Sequence, residues 1–298
     1  MDAAESKKFF LWAGAAFAAF YVLVAGLNFV VDPYLITKFP AFSGISDKKH
    51  GLNNRGPSHK RFSYWRDPKA VVVFGDSRVE RGIRPSSAAF GAERGRVYNF
   101  ATGGQGLHEA LALFEEAVEL RVVKTAVFSL DPFYYPWDRF PDETRAASLP
   151  EPVAGYFPAS ARYAVDYVLL LASPQATLAS LQTLIYSRRH PGPPNLAYMP
   201  DGWFNGEALN PDFTVENLYP GFLSHGVKVQ AERSFSEMQR WIEPLSRSGK
   251  ISDHAILKKI LRVAYEKDIG LIFFFSPEHA YDIEAVTAMG GRVFVHQW

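Results

Sequence analysis

The stretch Ala70-Val71-Val72-Val73-Phe74-Gly75-Asp76-Ser77-Arg78 decides the fold class of this chain. Its first five residues form a short, continuous apolar run, which is typical of a parallel strand buried on both faces. The small Gly75 then lets the chain turn sharply, and Asp76 or Ser77 can begin a helix. A strand that leads through a glycine into a helix indicates an α/β fold.

The same alternation continues on both sides of a long middle region. Residues 97–101 and 125–130 are strand candidates, and apolar side chains recur at helical spacing over 106–120. A further helix precedes the apolar strand 271–275. Strands that alternate with helices predict a parallel sheet covered by helices on both faces.

The middle of the domain interrupts this rhythm. We interpret residues from about 132 to 250 as a helical and loop insertion that covers the face where ligands bind. Within it, two helices are predicted to meet at Ser173-Pro174, because serine is a favoured N-cap and proline a favoured first helical residue.

Residues 9–31 read FFLWAGAAFAAFYVLVAGLNFVV and contain no charged side chain. A helix needs about 20 apolar residues to cross a membrane. A cleaved signal peptide is the alternative, but its apolar region is usually shorter, about 7–15 residues, and ends at a small-x-small cleavage site. This run is longer and ends in Asn28-Phe29-Val30-Val31-Asp32-Pro33, which favours a retained anchor.

The predicted organisation is therefore an N-terminal tail (1–8), a transmembrane anchor (9–31), an irregular connector (32–67) and one α/β domain (68–298). Lysines lie on both sides of the span, so charge alone does not fix its orientation. The absence of cysteine is compatible with a periplasmic or outer-surface domain without disulfides, and it does not exclude the cytoplasm. A net charge of +1 and the lack of a zinc-spaced Cys/His set predict no nucleic-acid partner, no metal and no cofactor.

Three loops follow strands at the edge where ligands bind in parallel sheets. The first carries Ser77, whose hydroxyl would be exposed at the start of a helix. The second, 99–106, contains Gly103-Gly104, where a backbone N–H can approach a ligand closely. The third begins with Asp131. Each also has a structural explanation, since helix caps and ordinary turns use the same residues.

Together these loops resemble the SGNH, or GDSL-type, hydrolase superfamily. The resemblance implies a flavodoxin-like sheet and assigns Ser77 as the nucleophile and Gly104 as the oxyanion-hole glycine. The sequence is most similar to bacterial membrane-anchored proteins associated with surface polysaccharides. These share a Gly-(Ser/Asp)-Ser-Arg loop, matched here by Asp76 and Arg78, and a Tyr-Asn-x-Ala strand end, matched by Asn99. Arg78 would hold an anionic or hydroxyl-rich substrate, or form a salt bridge on the helix surface.

The sequence departs from the superfamily pattern at two blocks. Asp131 stands where an asparagine is usual, and an ionised carboxylate cannot donate to an oxyanion. The Asp-x-x-His block that supplies the general base is missing after the last strand, which indicates either a piece of a longer protein or a protein that has lost its base. His279, just past the strand 271–275, is the best substitute, although its ring can instead cap backbone groups.

The resulting hypothesis is a serine esterase or O-acyltransferase in the inner membrane of a bacterium, with its domain in the periplasm or outside the cell. Its substrate would be an acyl ester of exported polysaccharide. The alternative is a non-catalytic partner in a polysaccharide-export complex that keeps the fold without the triad.

Overall fold

The computed structural model of the chain describes residues 3–37, 39–49, 56–130, 159–190, 198–205 and 255–276. These residues divide into two compact units. The helical unit comprises Met1–Arg66 and Leu149–Ala197, and the sheet unit comprises Asp67–Ser148 and Tyr198–Trp298. The region interpreted as one insertion is thus shared between the two units.

The described helices and strands follow one another in chain order as α1 (Ala3–Val31), α2 (Gly56–Arg66), β1 (Val71–Phe74), α3 (Ser77–Gly82), a 3-10 helix (Ala88–Glu93), β2 (Val97–Asn99), α4 (Leu107–Glu119), β3 (Thr125–Leu130), α5 (Ala159–Leu171), α6 (Pro174–Arg189), α7 (Ala255–Glu266) and β4 (Gly270–Phe275).

The four strands form one parallel sheet in the order β2-β1-β3-β4. Val71 of β1 is in register with Val97 of β2 and with Thr125 of β3, and Thr125 is in register with Gly270 of β4. This confirms the predicted α/β class with a parallel sheet. The chain adds β2 on one side of β1 and then β3 on the other, so the strand order reverses between β1 and β3.

Helices lie on both faces of the sheet because successive side chains of a strand point to opposite sides. Val71 and Val73 pack on one face with Val79 of α3. Phe74 and Phe128 point to the other face, where the ring of Phe114 on α4 contacts both, with centroids 6.0 Å and 5.4 Å away. All of these side chains are buried, so β1 is enclosed as its apolar sequence predicted.

The helical unit is built on the end of α1. Helices α5 and α6 pack against this end, and they are separated at Ser173, whose hydroxyl accepts a hydrogen bond from the N–H of Ala176. Pro174 is the first residue of α6. The predicted cap and proline pair is therefore confirmed. Helix α1 is long and apolar enough to cross a membrane.

The connector expected to be irregular contains α2, which buries Phe62 and Tyr64. Its sequence GPSHKRFSYWR has no strong apolar periodicity, so its helical conformation depends on tertiary packing. The chain after α1 is also ordered by polar contacts. The Asp32 carboxylate accepts from the N–H groups of Ile36 and Thr37, and Lys49 Nζ donates to the Val31 carbonyl at 2.6 Å.

Candidate functional site

The turn after β1 requires a glycine. A Cβ placed on Gly75 would lie 2.5 Å from Val79 Cγ2 and 2.9 Å from the Cβ of Ser129, which is closer than real Cβ contacts. The N–H of Gly75 donates to Gln105 Oε1 at 2.9 Å, so the turn is also tied to the loop after β2. These contacts fix the chain where it leaves the sheet and enters α3.

Ser77 is the first residue of α3, and Asp76 is its N-cap. The Asp76 carboxylate accepts from the N–H of Arg78 at 3.0 Å, as an N-cap side chain does. Ser77 is half-buried, and no residue within the described part of the chain is hydrogen-bonded to its hydroxyl. Ser77 therefore lies just beyond the carboxyl end of β1, at the edge where parallel sheets bind ligands.

Asp76 and Arg78 also form an ion pair, with Arg78 Nη2 at 2.6 Å and Nε at 2.8 Å from Asp76 Oδ2. The Asp76 side chain is 6% exposed and that of Arg78 is 28% exposed. Of the two alternatives for Arg78, the structure contains the salt bridge. Substrate binding by either residue stays a prediction.

Asn99, at the end of β2, holds α3 in place. Its Nδ2 donates to the carbonyls of Val79 and Ile83 at 3.0 Å and 2.8 Å, and its Oδ1 accepts from the N–H of Ala101. The side chain is fully buried. Its amide group is thus committed to positioning the helix that carries Ser77, and any contact with substrate stays a prediction.

The glycines after β2 come close to Ser77. A Cβ placed on Gly103 would lie 3.9 Å from the Ser77 Cβ and 3.9 Å from Glu80 Oε2. Gly104 follows with a φ of +70°, a conformation that favours glycine. The structure therefore brings the Gly103-Gly104 loop to the predicted nucleophile, and the oxyanion role of Gly104 stays a prediction.

Glu80 and Tyr198 adjoin this loop and were not predicted from the sequence. Glu80 is buried one helical turn after Ser77, and the Tyr198 hydroxyl donates to its Oε1 at 3.2 Å. Burial, followed by the nearby Glu80 carboxylate, raises the pKa of Tyr198, so its phenol stays a donor at neutral pH. The spacing of three residues from Ser77 could have indicated Glu80, because residues i and i+3 share a helix face.

Tyr198 belongs to a short turn that packs on α3. The indole of Trp203 donates to the Arg81 carbonyl at 2.9 Å, and the N–H of Phe204 donates to the Glu80 carbonyl at 3.4 Å. Gly202 has a φ of +81°, and a Cβ there would lie 2.2 Å from the Asn99 carbonyl oxygen. Only glycine fits this close approach of backbone to backbone.

The ends of β3 and β4 meet at the same edge of the sheet. The hydroxyls of Ser129 and Ser276 are 2.6 Å apart, and Ser129 lies beside Gly75. Asp131 and His279, the predicted third-loop acid and general base, lie outside the described residues. As far as the structure describes them, the loops that follow the strands therefore meet at the carboxyl edge of the sheet.

Two histidines of the described residues, His108 and His59, differ in their surroundings. His108 is exposed in the first turn of α4. His59 is buried in the helical unit, where its Nδ1 is 3.0 Å from the Tyr34 carbonyl oxygen. Burial lowers the pKa of His59 to about 4, so its ring is neutral at pH 7.

The chain matches no protein-family model, no curated protein and no solved structure with which it was compared. Its class therefore rests on its own fold: a membrane-type N-terminal helix and a parallel α/β sheet with a serine at the end of β1.

Proposed function

We propose that the protein is a membrane-anchored serine esterase or O-acyltransferase that acts through Ser77. The observation that carries the proposal is the position of the Ser77 hydroxyl, free of described hydrogen-bond partners at the start of α3 and next to the Gly103-Gly104 loop. A serine that leaves a parallel strand into a helix, beside a backbone able to donate, is the arrangement that acyl transfer needs.

In this mechanism the Ser77 oxygen attacks an acyl carbonyl while a general base accepts its proton. The N–H groups of Ser77 and Gly104 would stabilise the oxyanion of the tetrahedral intermediate. The intermediate then expels the alcohol, which receives the proton, and leaves an acyl group on Ser77. The acyl group finally passes to water in an esterase, or to a sugar hydroxyl in a transferase. His279 is the proposed base.

The proposed location and substrate come from the membrane helix and from the resemblance. Helix α1 would hold the chain in the inner membrane of a bacterium, with the sheet unit in the periplasm or outside the cell. An acyl ester of exported polysaccharide is then the proposed substrate, and export proteins are proposed partners.

A second candidate is a non-catalytic partner in polysaccharide export. It is favoured by the ion pair between Asp76 and Arg78, which engages both charged side chains that flank Ser77. In this case the cleft would bind a ligand without forming an acyl intermediate.

Labelling of the detergent-solubilised full chain with a fluorophosphonate separates the two candidates. We expect labelling of the wild type and none of Ser77→Ala. Ser129→Ala is the matched control, because it removes a hydroxyl at the neighbouring strand end, and it should still be labelled. Loss of labelling in His279→Gln would identify the base. A folded wild type that is never labelled would reject the enzyme and leave the binding partner.

A further inference from the structure

Helix α6 has its apolar and polar faces reversed relative to a helix of a water-soluble protein. Its buried positions carry only small or hydroxyl side chains, namely Ala176, Ala179, Ser180, Thr183 and Ser187. Three of its large apolar side chains, Leu178, Leu181 and Ile185, are exposed instead, and Leu184 is half-buried. A helix in water buries its apolar stripe, whereas helices in membranes pack through small residues and direct large apolar ones to lipid.

Helix α5 carries the same kind of exposed face. Val165, Val168 and Leu169 recur at helical spacing, and Leu169 is 63% exposed. The acidic residue between them, Asp166, is buried and forms an ion pair with Arg61 at 2.7 Å. The Asp166 carboxylate is therefore withdrawn from the exposed apolar surface.

The two helices together form a long uncharged segment. No Asp, Glu, Lys or Arg occurs from residue 167 to 187, and Arg188 and Arg189 follow at the exposed end of α6. The segments Tyr163–Leu171 and Pro174–Arg189 are together apolar enough to cross a membrane, but they are bent by 56°. At 1.5 Å per residue, α5 and α6 are about 20 Å and 24 Å long, so neither alone spans a hydrocarbon core of about 30 Å.

Helix α1 contacts this pair near the expected boundary of the hydrocarbon core. About 20 residues cross the core, so a span that begins at Phe9 ends close to Asn28. The fully buried Asn28 donates to the Leu171 carbonyl at 2.7 Å and to Thr177 Oγ1 at 3.1 Å, and it accepts from Ser180 Oγ at 2.7 Å. Asn28, the polar side chain of the span, thus finds its hydrogen-bond partners on α5 and α6 at that depth.

We infer that the bent pair α5–α6 lies in the membrane boundary around the end of α1, with its exposed apolar side chains in contact with lipid acyl chains. The inference depends on α1 spanning the membrane, and it does not depend on the chemistry of Ser77. The lipid-facing surface of α1 and the exposed face of α5–α6 belong to one compact unit, and Ala25 of α1 packs with Leu171 and Ala176. Arg188 and Arg189 then lie where anionic lipid headgroups attract basic side chains.

Single-cysteine fluorescence tests this inference directly, because the chain has no cysteine of its own. The full chain is reconstituted in phosphatidylethanolamine and phosphatidylglycerol vesicles, and an environment-sensitive nitrobenzoxadiazole dye is attached to one position at a time. The test variants are Leu169→Cys and Leu181→Cys. Leu23→Cys in α1 is the membrane control, and Tyr265→Cys, 90% exposed on α7, is the control for the sheet unit.

Lipids carrying a nitroxide on the acyl chain should quench the dye at Leu169 and Leu181 to an extent comparable with Leu23, and should leave Tyr265 unchanged. Quenching at Leu23 without quenching at Leu169 and Leu181 would overturn the inference while α1 remains a span. No quenching at Leu23 would show that the anchor itself is wrong. If Leu169 and Leu181 resist both the lipid nitroxide and aqueous iodide, protein rather than lipid covers this face, and the inference fails.

Discussion

Helix α6 and the central sheet bury opposite kinds of side chain. The sheet unit encloses Phe74, Phe114 and Phe128. Helix α6 encloses alanines and hydroxyl residues while Leu178 and Leu181 are exposed. Both have buried side chains, so the two differ in the kind of side chain that is buried and not in whether a core is present. On the inference that α5–α6 contacts lipid, the sheet unit is stabilised by removing apolar surface from water, and the helical unit by packing and internal hydrogen bonds.

The contrast is sharpest for truncation of a large apolar side chain. Phe128→Ala should destabilise the sheet unit by about 3–5 kcal/mol, because it removes a fully buried ring that contacts Phe74 and Phe114. Leu181→Ala should change the stability of the helical unit by no more than about 0.5 kcal/mol in detergent, because the side chain is exposed. Hydrogen exchange of peptides from each unit measures both effects. Equal losses of stability in the two variants would contradict the proposed contrast between the two units.

Charge burial provides the next largest effect. Asp166→Ala should destabilise the helical unit by about 3 kcal/mol, because it leaves the buried Arg61 without this partner. The matched control is Asp67→Ala, which breaks an exposed pair with Lys69 at the same distance of 2.7 Å and should cost less than about 1 kcal/mol. Urea unfolding measures both. Replacement of both partners, Arg61→Met with Asp166→Leu, should restore most of the stability; a double variant as unstable as Asp166→Ala would refute the unpaired-charge explanation.

Loss of one internal hydrogen bond should have a smaller effect. Ser180→Ala removes the donor to Asn28 Oδ1 and should destabilise the helical unit by about 2 kcal/mol, since a buried acceptor loses its partner. Gln182→Ala, at an exposed position of the same helix, is the control for helix propensity. Hydrogen exchange of the α6 peptide measures the difference in stability between the two variants. Equal protection in the two variants would mean that this polar contact does not stabilise the unit.

The change in stability per pH unit is the smallest of these effects, and it is predicted for the helical unit, which contains His59. The pKa of His59 is lowered to about 4 in the folded chain, so between about pH 6.5 and 4 the unfolded chain binds more protons. The stability contributed by the neutral ring is complete above this window. It should fall by about 1.4 kcal/mol per pH unit as the pH decreases through it. His59→Gln should flatten the profile of the α2 peptide, and His108→Gln should not; an unchanged slope in His59→Gln would contradict the assignment.

The elements of the sheet unit could be predicted because their signals are local. The strand expected at 70–74 is observed at Val71–Phe74, and that expected at 125–130 is observed at Thr125–Leu130. The helix expected over 106–120 is observed at Leu107–Glu119. The parallel order then brings the loop ends together at one edge, which is why the approach of the Gly103 loop to Ser77 was foreseeable.

Contacts between distant parts of the sequence could not be predicted in the same way. Tyr198 meets Glu80 across 118 positions, and nothing in the intervening sequence indicates that contact. The association of α5 and α6 with α1 likewise depends on Asn28, whose partners are 143 to 152 positions away. Helix α2 was missed because its polar sequence becomes helical only through packing.

The bond between the Asn99 N–H and the Asp201 carbonyl has a consequence for biosynthesis. Strand β2 is at the edge of the described sheet, and this 2.9 Å bond satisfies its last N–H. The ribosome makes Asp201 about 100 residues after Asn99, and at about 5–20 residues per second this takes about 5–20 s. During that interval the Asn99 N–H lacks this partner. This bond can therefore form only after α1, α5 and α6 have been synthesised.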